Sequence, residues 1–188
     1  MSKSPYRIAL AADFNANNLA VLLRKSGSAD IQCVEAPYGQ LTRLLLDPEN
    51  SFWNEAEDAA LIWTLPQLAV PEFEKVLCFK EFSMADLLAQ VDSFCELINR
   101  SPARVPTVLV PCWVSPSVSR GLGPLDLTNS FGVANTLAQM NQRLVENLRG
   151  QHRAVILDTN RWLLHCGADP YSPKLWYRSK TPFQNSVF

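Results

Sequence analysis

Residues 59–65 (AALIWTL) form an apolar run that only Thr64 interrupts, and this stretch decides the fold. A strand with one face in water alternates apolar and polar side chains, whereas this run offers apolar side chains to both faces. The run therefore predicts a strand of a parallel sheet that is buried on both faces.

Strand-like and helix-like segments alternate along the chain on either side of this run. Short apolar segments predict further strands at residues 6–12, 30–35, 105–110 and 154–157. The segments between them predict helices at residues 17–26, 38–47, 83–100 and 133–148, and the last two carry apolar side chains every three or four residues. This alternation predicts an α/β fold, a three-layer sandwich around a five-stranded parallel sheet.

Length, composition and charge narrow the class of protein. A chain of 188 residues with 47% hydrophobic residues suits one domain with its own core. Its 17 Lys and Arg residues nearly balance 18 Asp and Glu residues, which argues against nucleic acid or an anionic membrane as the main partner. The apolar run before Asp13 is also shorter than the roughly 7–15 residues of a signal peptide core. We expect a cytoplasmic protein with no membrane-spanning segment.

The histidines, cysteines and glycines form no pattern typical of a metal or cofactor site. His152 and His165 form no HxH, HxxxH or HExxH spacing, and the five cysteines include no CxxC pair. Neither GxGxxG nor GxxxxGK[ST] follows the first predicted strand. We therefore expect neither a metal nor a cofactor.

Polar side chains lie just beyond several predicted strands, where parallel sheets bind their ligands. Asp13 and Asn15 follow the first strand, Thr64 lies at the end of the third, Ser115 follows the fourth and Asp158 follows the fifth. These positions predict a polar site at the mouth of the sheet. The alternative is local: Asp13 and Asp158 would hold nearby backbone, and Asn15 would cap the following helix.

The tail of the chain differs from the rest. From about residue 168 it combines three prolines with aromatic side chains in the sequence DPYSPKLWYRSKTPF. Proline removes a backbone donor and clashes within a helix, so the tail predicts loops or short helical turns that pack aromatic rings on the domain. We also expect a further domain beyond Phe188.

Four segments, in this order, resemble the N-terminal domain of FkbH-like proteins. They are residues 8–27 (IALAADFNANNLAVLLRKSG), 36–53 (APYGQLTRLLLDPENSFW), 125–148 (LDLTNSFGVANTLAQMNQRLVENL) and 155–183 (VILDTNRWLLHCGADPYSPKLWYRSKTPF). The resemblance implies a flavodoxin-like, SGNH-hydrolase-like sandwich. It also implies a longer polypeptide, in which a haloacid dehalogenase-type domain loads a glyceryl unit onto an acyl carrier protein for polyketide biosynthesis.

The resemblance also allows the SGNH sequence blocks to be placed on this chain. The GDS block falls on residues 12–14 (ADF), so Phe14 replaces the nucleophilic serine. The GxND block falls poorly on residues 64–67 (TLPQ), and the DxxH block falls on Asp169 with Ser172 in place of histidine. Serine, asparagine and histidine are all lost, which implies a degenerate, non-catalytic module.

We expect the sheet mouth to survive as a binding pocket formed by Asp13, Asn15, Thr64, Ser115, Asp158 and Asp169. The expected partners are an acyl carrier protein and the dehalogenase-type domain. The alternative is a divergent SGNH esterase or acyltransferase. In that case Ser115 or Ser117 would be the relocated nucleophile and His165 the base.

Overall fold

A computed structural model describes residues 4–25, 30–116, 119, 121–128, 131–150, 153–166 and 170–187. Its sheet has five parallel strands in the order β2-β1-β3-β4-β5. The strands are β1 (Tyr6–Ala12), β2 (Ile31–Glu35), β3 (Ala59–Trp63), β4 (Val108–Pro111) and β5 (Ala154–Leu157).

Helices connect the strands and cover the sheet. In the described part they are α1 (Asn17–Lys25), α2 (Leu41–Leu46), α3 (Pro66–Ala69), α4 (Glu72–Leu77), α5 (Met84–Asn99), α6 (Val133–Leu148), α7 (Thr159–Leu164) and α8 (Pro173–Ser179). Short 3-10 helices occupy Ser51–Glu55 and Gly123–Leu125. None of the described helices has the length and apolarity needed to cross a bilayer.

Successive side chains of β1 belong to two separate cores, one on each face of the sheet. Ala9 and Ala11 pack in a core with apolar side chains of α2, α4, α5 and α6. Ile8 and Leu10 pack in a second core with α1, α7 and the tail. This alternation follows from the two-residue period of a strand. It confirms the predicted α/β sandwich, with helices on both faces of a five-stranded parallel sheet.

Two elements, α2 and β4, begin later than the sequence predicts, because a glycine or a proline precedes each of them. Helix α2 begins at Leu41 rather than at residue 38, because Gly39 has a φ of +78°. Strand β4 begins at Val108 rather than at residue 105, because Pro106 has no N–H to donate to a neighbouring strand. Helix α4 was not predicted; it follows Pro71 and buries Phe73 and Val76.

The tail returns to the sheet and fills the second core. Tyr171 and Phe183 form an isolated antiparallel bridge, with α8 between them. Phe183 is fully buried and stacks on Trp63 with ring centroids 5.3 Å apart. The tail therefore supplies core residues on the α1 side of the sheet.

Candidate functional site

The strand order places a crevice at the carboxyl ends of β1 and β3. From β1 the chain passes to β2 on one side, and then crosses to β3 on the other side. In open parallel sheets of this order, ligands bind at this topological switch point. Asp13 and Thr64, each just beyond the end of its strand, flank this point.

A cavity of about 320 Å³ opens at the switch point. Asp13 and Thr64 form its polar wall, and helices α2 and α5 and the α3–α4 segment close it. The other lining residues are Leu41, Thr42, Leu45, Leu68, Ala69, Pro71, Gln90, Ser93, Phe94 and Leu97. Its size and its mostly apolar lining, with a few polar groups, are typical of small-molecule sites.

Asp13 is a carboxyl group whose surroundings favour its neutral form. The backbone N–H of Leu65 donates to both carboxyl oxygens, at 3.0 and 3.1 Å. Burial raises the pKa of Asp13 to about 8, although hydrogen bonds from the backbone N–H groups of Leu65 and of Asp13 itself act in the opposite direction. At neutral pH the carboxyl is therefore mostly protonated, and it can donate a hydrogen bond.

Thr64 is held in place by Trp113, which packs beside Phe94 in the core on the same face of the sheet. Its buried hydroxyl oxygen accepts a hydrogen bond from Trp113 Nε1 at 2.8 Å. The side chain of Asn141 in α6 then fixes residue 113, since its Oδ1 accepts from the Trp113 N–H at 2.8 Å and its Nδ2 donates to the Trp113 carbonyl at 2.7 Å. Helix α6 thus sets the position of the Thr64 hydroxyl.

Gln90 and Ser93 present further polar groups from α5. The Gln90 Oε1 accepts from the Glu72 N–H at 2.9 Å. The Ser93 hydroxyl donates to the Ala89 carbonyl at 3.0 Å, which leaves its oxygen as an acceptor. Both side chains line the cavity opposite Asp13 and Thr64.

Phe14, on which the sequence resemblance places the SGNH nucleophile, lies in the second core and does not line the cavity. It is only 2% exposed and meets Trp63 edge to face, with ring centroids 5.6 Å apart. Phe183 meets it in the same manner at 6.1 Å. An apolar ring inside the second core cannot attack a carbonyl group.

Asn15 and Asp158, both predicted at the site, make local contacts instead. The Asn15 Oδ1 accepts from the Asn17 N–H at 3.1 Å, and the Asn15 N–H donates to the Lys180 carbonyl in the tail at 2.9 Å. The exposed Asp158 caps α7 by accepting from the Arg161 N–H at 3.1 Å. Neither residue lines the cavity at the switch point.

Ser115 and His165, the alternative catalytic pair, are both exposed. Ser115 lines a separate cavity of about 30 Å³, where its carbonyl accepts from the Tyr171 hydroxyl at 2.6 Å. His165 follows the last turn of α7, and no hydrogen bond between described residues joins its side chain to Ser115. Ser117 and Asp169 lie outside the described residues.

The cavity at the switch point contains no cationic side chain and no evident metal site. Its lining includes one titratable group, Asp13. Across the residues that the structure describes, no cluster of three or more His, Cys, Asp or Glu side chains could hold a metal ion. The cavity can bind a ligand through hydrogen bonds and apolar contact.

Several residues of the site were not predicted from the sequence. Gln90 and Ser93 belong to a helix that was recognised only by its apolar face. Asn141 stands four residues after the buried Leu137 and three before the buried Leu144. An amide on the apolar side of an amphipathic helix is a signal of a buried hydrogen bond, and it could have identified Asn141.

Comparison with models of known protein families and with curated proteins finds no match. Among solved structures, the chain is similar to the N-terminal part of the protein BF1531 from Bacteroides fragilis, which contains a phosphatase domain and was crystallised with Mg. The TM-score is 0.71 at 15% sequence identity. The match covers 97% of this chain and 48% of the other, so the chain spans about half the length of that structure. This similarity shows a shared fold.

Proposed function

We propose that this chain is a non-catalytic binding domain of an FkbH-like protein. In this proposal it acts in the cytoplasm and recruits a substrate, or the acyl carrier protein that bears it. The chemistry, glyceryl transfer or phosphatase activity, belongs to a neighbouring dehalogenase-type domain of the same polypeptide.

The observation that carries the proposal is that two consecutive residues, Asp13 and Phe14, lie in different surroundings. Phe14 fills the nucleophile's position with a ring that is buried among Trp63 and Phe183. Asp13, the residue before it, lines an open cavity at the switch point. The chain thus combines a cavity of ligand-binding size with an apolar ring where the SGNH pattern needs a serine.

Two further facts support a role beside a catalytic domain. The similar structure from Bacteroides fragilis contains a phosphatase domain, and this chain matches less than half of it. The sequence resemblance to FkbH-like proteins independently implies the same arrangement of a sandwich domain and a phosphatase-type domain.

The test is covalent labelling with a fluorophosphonate, which reacts with activated serine nucleophiles. We expect the intact mass of the chain to remain unchanged under conditions that fully label an active serine hydrolase. We also expect hydrolysis of p-nitrophenyl acetate at the rate of the buffer alone.

A single covalent adduct would contradict the proposal. If the adduct disappeared in Ser115→Ala and persisted in the matched Ser119→Ala, the chain would be a divergent esterase with Ser115 as its nucleophile. Loss of labelling in His165→Ala would then identify the base.

A further inference from the structure

We propose that the cavity at the switch point takes an uncharged ligand that presents a carbonyl oxygen on a short aliphatic chain, such as an amide, an ester or a thioester. The inference rests on the proposed function, because it names the ligand class of the same binding site. It follows from the hydrogen-bond donors, the charge and the apolar lining of the cavity.

Gln90 and Thr64 each offer the cavity an unused hydrogen-bond donor. The Glu72 N–H needs an acceptor, so the Gln90 atom that it contacts at 2.9 Å is the carbonyl Oε1. The Gln90 amide nitrogen then carries two hydrogens with no partner among the described residues. The Thr64 oxygen accepts from Trp113, and its own hydroxyl hydrogen likewise has no acceptor among the residues that the structure describes.

Asp13 adds a third donor at neutral pH. The Leu65 N–H donates to both of its oxygens, and burial raises its pKa to about 8 although this N–H and the N–H of Asp13 itself act in the opposite direction. The carboxyl therefore holds a proton that a ligand oxygen can accept. Three donors around one cavity suit a carbonyl oxygen, which has two lone pairs and no hydrogen to donate.

The charges around the cavity disfavour an anionic ligand. Asp13 is the only ionisable group in the lining. The charged side chains on the surrounding helices lie outside the lining; they are Arg43 in α2, Glu72, Glu74 and Lys75 in α4, and Asp86, Asp92 and Glu96 in α5. Lys75 pairs with Glu72 at 2.8 Å, and Asp92 pairs with Arg143 at 2.6 Å. A bound carboxylate would lose its hydration without gaining a counter-charge.

The rest of the lining suits an aliphatic chain. Leucines from α2, α3 and α5, together with Phe94, form the apolar part. Burial of each methylene removes apolar surface from water and therefore favours binding. The competing ligand class is an alkylammonium ion, which would pair with the ionised form of Asp13. The two classes differ in the sign of their pH dependence.

The experiment compares three probes with the same six-carbon chain: hexanamide, hexanoate and hexylamine. Each is titrated into the ¹⁵N-labelled chain, and amide shifts and affinities are measured at about pH 6.5 and about pH 9. We expect hexanamide to shift residues 64–69 and 90–97, and to bind at least about tenfold more tightly than hexanoate at about pH 6.5. Its affinity should fall by up to about tenfold at about pH 9, because one pH unit above its pKa Asp13 is about one-tenth protonated.

Three variants test whether hexanamide binds in the cavity or on another surface. Asp13→Asn keeps an acceptor for Leu65 and a donor for the ligand, so hexanamide should still bind, with a pH dependence below about twofold. Ser93→Trp should block the cavity and abolish binding. Glu96→Trp, an exposed position on the same helix outside the lining, is the matched control and should bind as the wild type does.

Equal or tighter binding of hexanoate would overturn the proposal, and so would tighter binding of hexylamine at about pH 9. Shifts confined to other surfaces, or no binding of any probe, would overturn it as well. Fluorophosphonate labelling does not depend on the probe's head group. Failure of the ligand class is therefore distinguishable from failure of the non-catalytic function.

Discussion

Asp13 experiences opposing influences on its charge, and burial is the stronger one. Backbone N–H donors stabilise the carboxylate, while the loss of hydration destabilises it. Its pKa therefore rises from the ordinary value of 3.8 to about 8. This makes Asp13 a group whose protonation links the cavity to the stability of the whole chain.

Replacing Asp13 by asparagine should remove a pH dependence of folding. Because the folded protein binds this proton more tightly than the unfolded chain, the stabilising contribution is complete below about pH 4 and is lost as the pH rises to about 8. Between these limits the free energy of unfolding should fall by up to about 1.4 kcal/mol per pH unit in the wild type. Urea denaturation at a series of pH values measures the slope, and Asp13→Asn should lack this part of it.

The matched control is Asp158→Asn, which changes an exposed carboxyl that caps α7. Asparagine caps helices about as well as aspartate, so at neutral pH this variant should be about as stable as the wild type. An unchanged slope in Asp13→Asn would show that Asp13 is not the group that titrates.

The sequence predicted two residues of the candidate cavity for a physical reason. Asp13 and Thr64 were predicted because parallel strands bring their carboxyl ends to one edge, and the structure places both in one cavity. Asn15 and Asp158 also follow strands at this edge of the sheet, but their side-chain oxygens accept hydrogen bonds from nearby backbone N–H groups. The position of Gln90 in the cavity lining could not be predicted, because it depends on how α5 packs against the face of the sheet.

At the scale of elements, helix α6 is attached to its neighbours by two different kinds of contact. The Asn141 side chain makes two hydrogen bonds to the backbone of the buried Trp113 at the end of β4. Arg143 instead pairs with Asp92 of α5. Both side chains are more than a third exposed, Arg143 at 43% and Asp92 at 35%. Solvent weakens the second contact more than the first, because the second joins two charged side chains that are partly exposed.

Asn141→Ala should therefore destabilise the chain more than Arg143→Ala. We expect a loss of about 2 kcal/mol for Asn141→Ala, since it leaves backbone groups of a buried residue without partners. Arg143→Ala should lose less than about 1 kcal/mol, and still less at high salt. Denaturant titration of both variants measures the difference; equal losses would mean that Asn141 does not anchor α6 to β4.

The elements themselves were predicted well where periodicity is strong. Helix α6 and strands β1 and β5 have the predicted boundaries, because apolar side chains mark every turn of α6 and make up most of both strands. The observed boundaries differ from the predicted ones where a single residue constrains the backbone, as Gly39 does before α2 and Pro106 does before β4. Helix α4 is a single short segment beside Pro71, and its few residues give too little periodicity to be recognised.

At the scale of the whole molecule, the tail completes the second core. Phe183 stacks on Trp63 and meets Phe14, and Val187 is buried in the same cluster. The aromatic rings that surround Phe14 thus include one from the C-terminal end of the chain. Loss of this packing would expose the core behind the cavity.

Phe183→Ala should destabilise the chain by about 3–5 kcal/mol, because it removes a fully buried ring and leaves a void. Tyr177→Ala removes an aromatic ring from the same tail, but this side chain is 76% exposed. It should change the free energy of unfolding by less than about 0.5 kcal/mol. Thermal or denaturant unfolding of both variants tests the difference, and a similar small loss in both would mean that the tail does not belong to the core.

A protonated carboxyl in a cavity that binds and does not catalyse is the central feature that we propose for this chain. The most direct measurement is the titration of the Asp13 carboxyl carbon by ¹³C NMR, with and without saturating hexanamide. From this proposal we expect a pKa of about 8 for the free chain and a higher pKa with hexanamide bound, because the ligand favours the protonated form. A pKa near the ordinary value of 3.8, or one that hexanamide lowers, would contradict it.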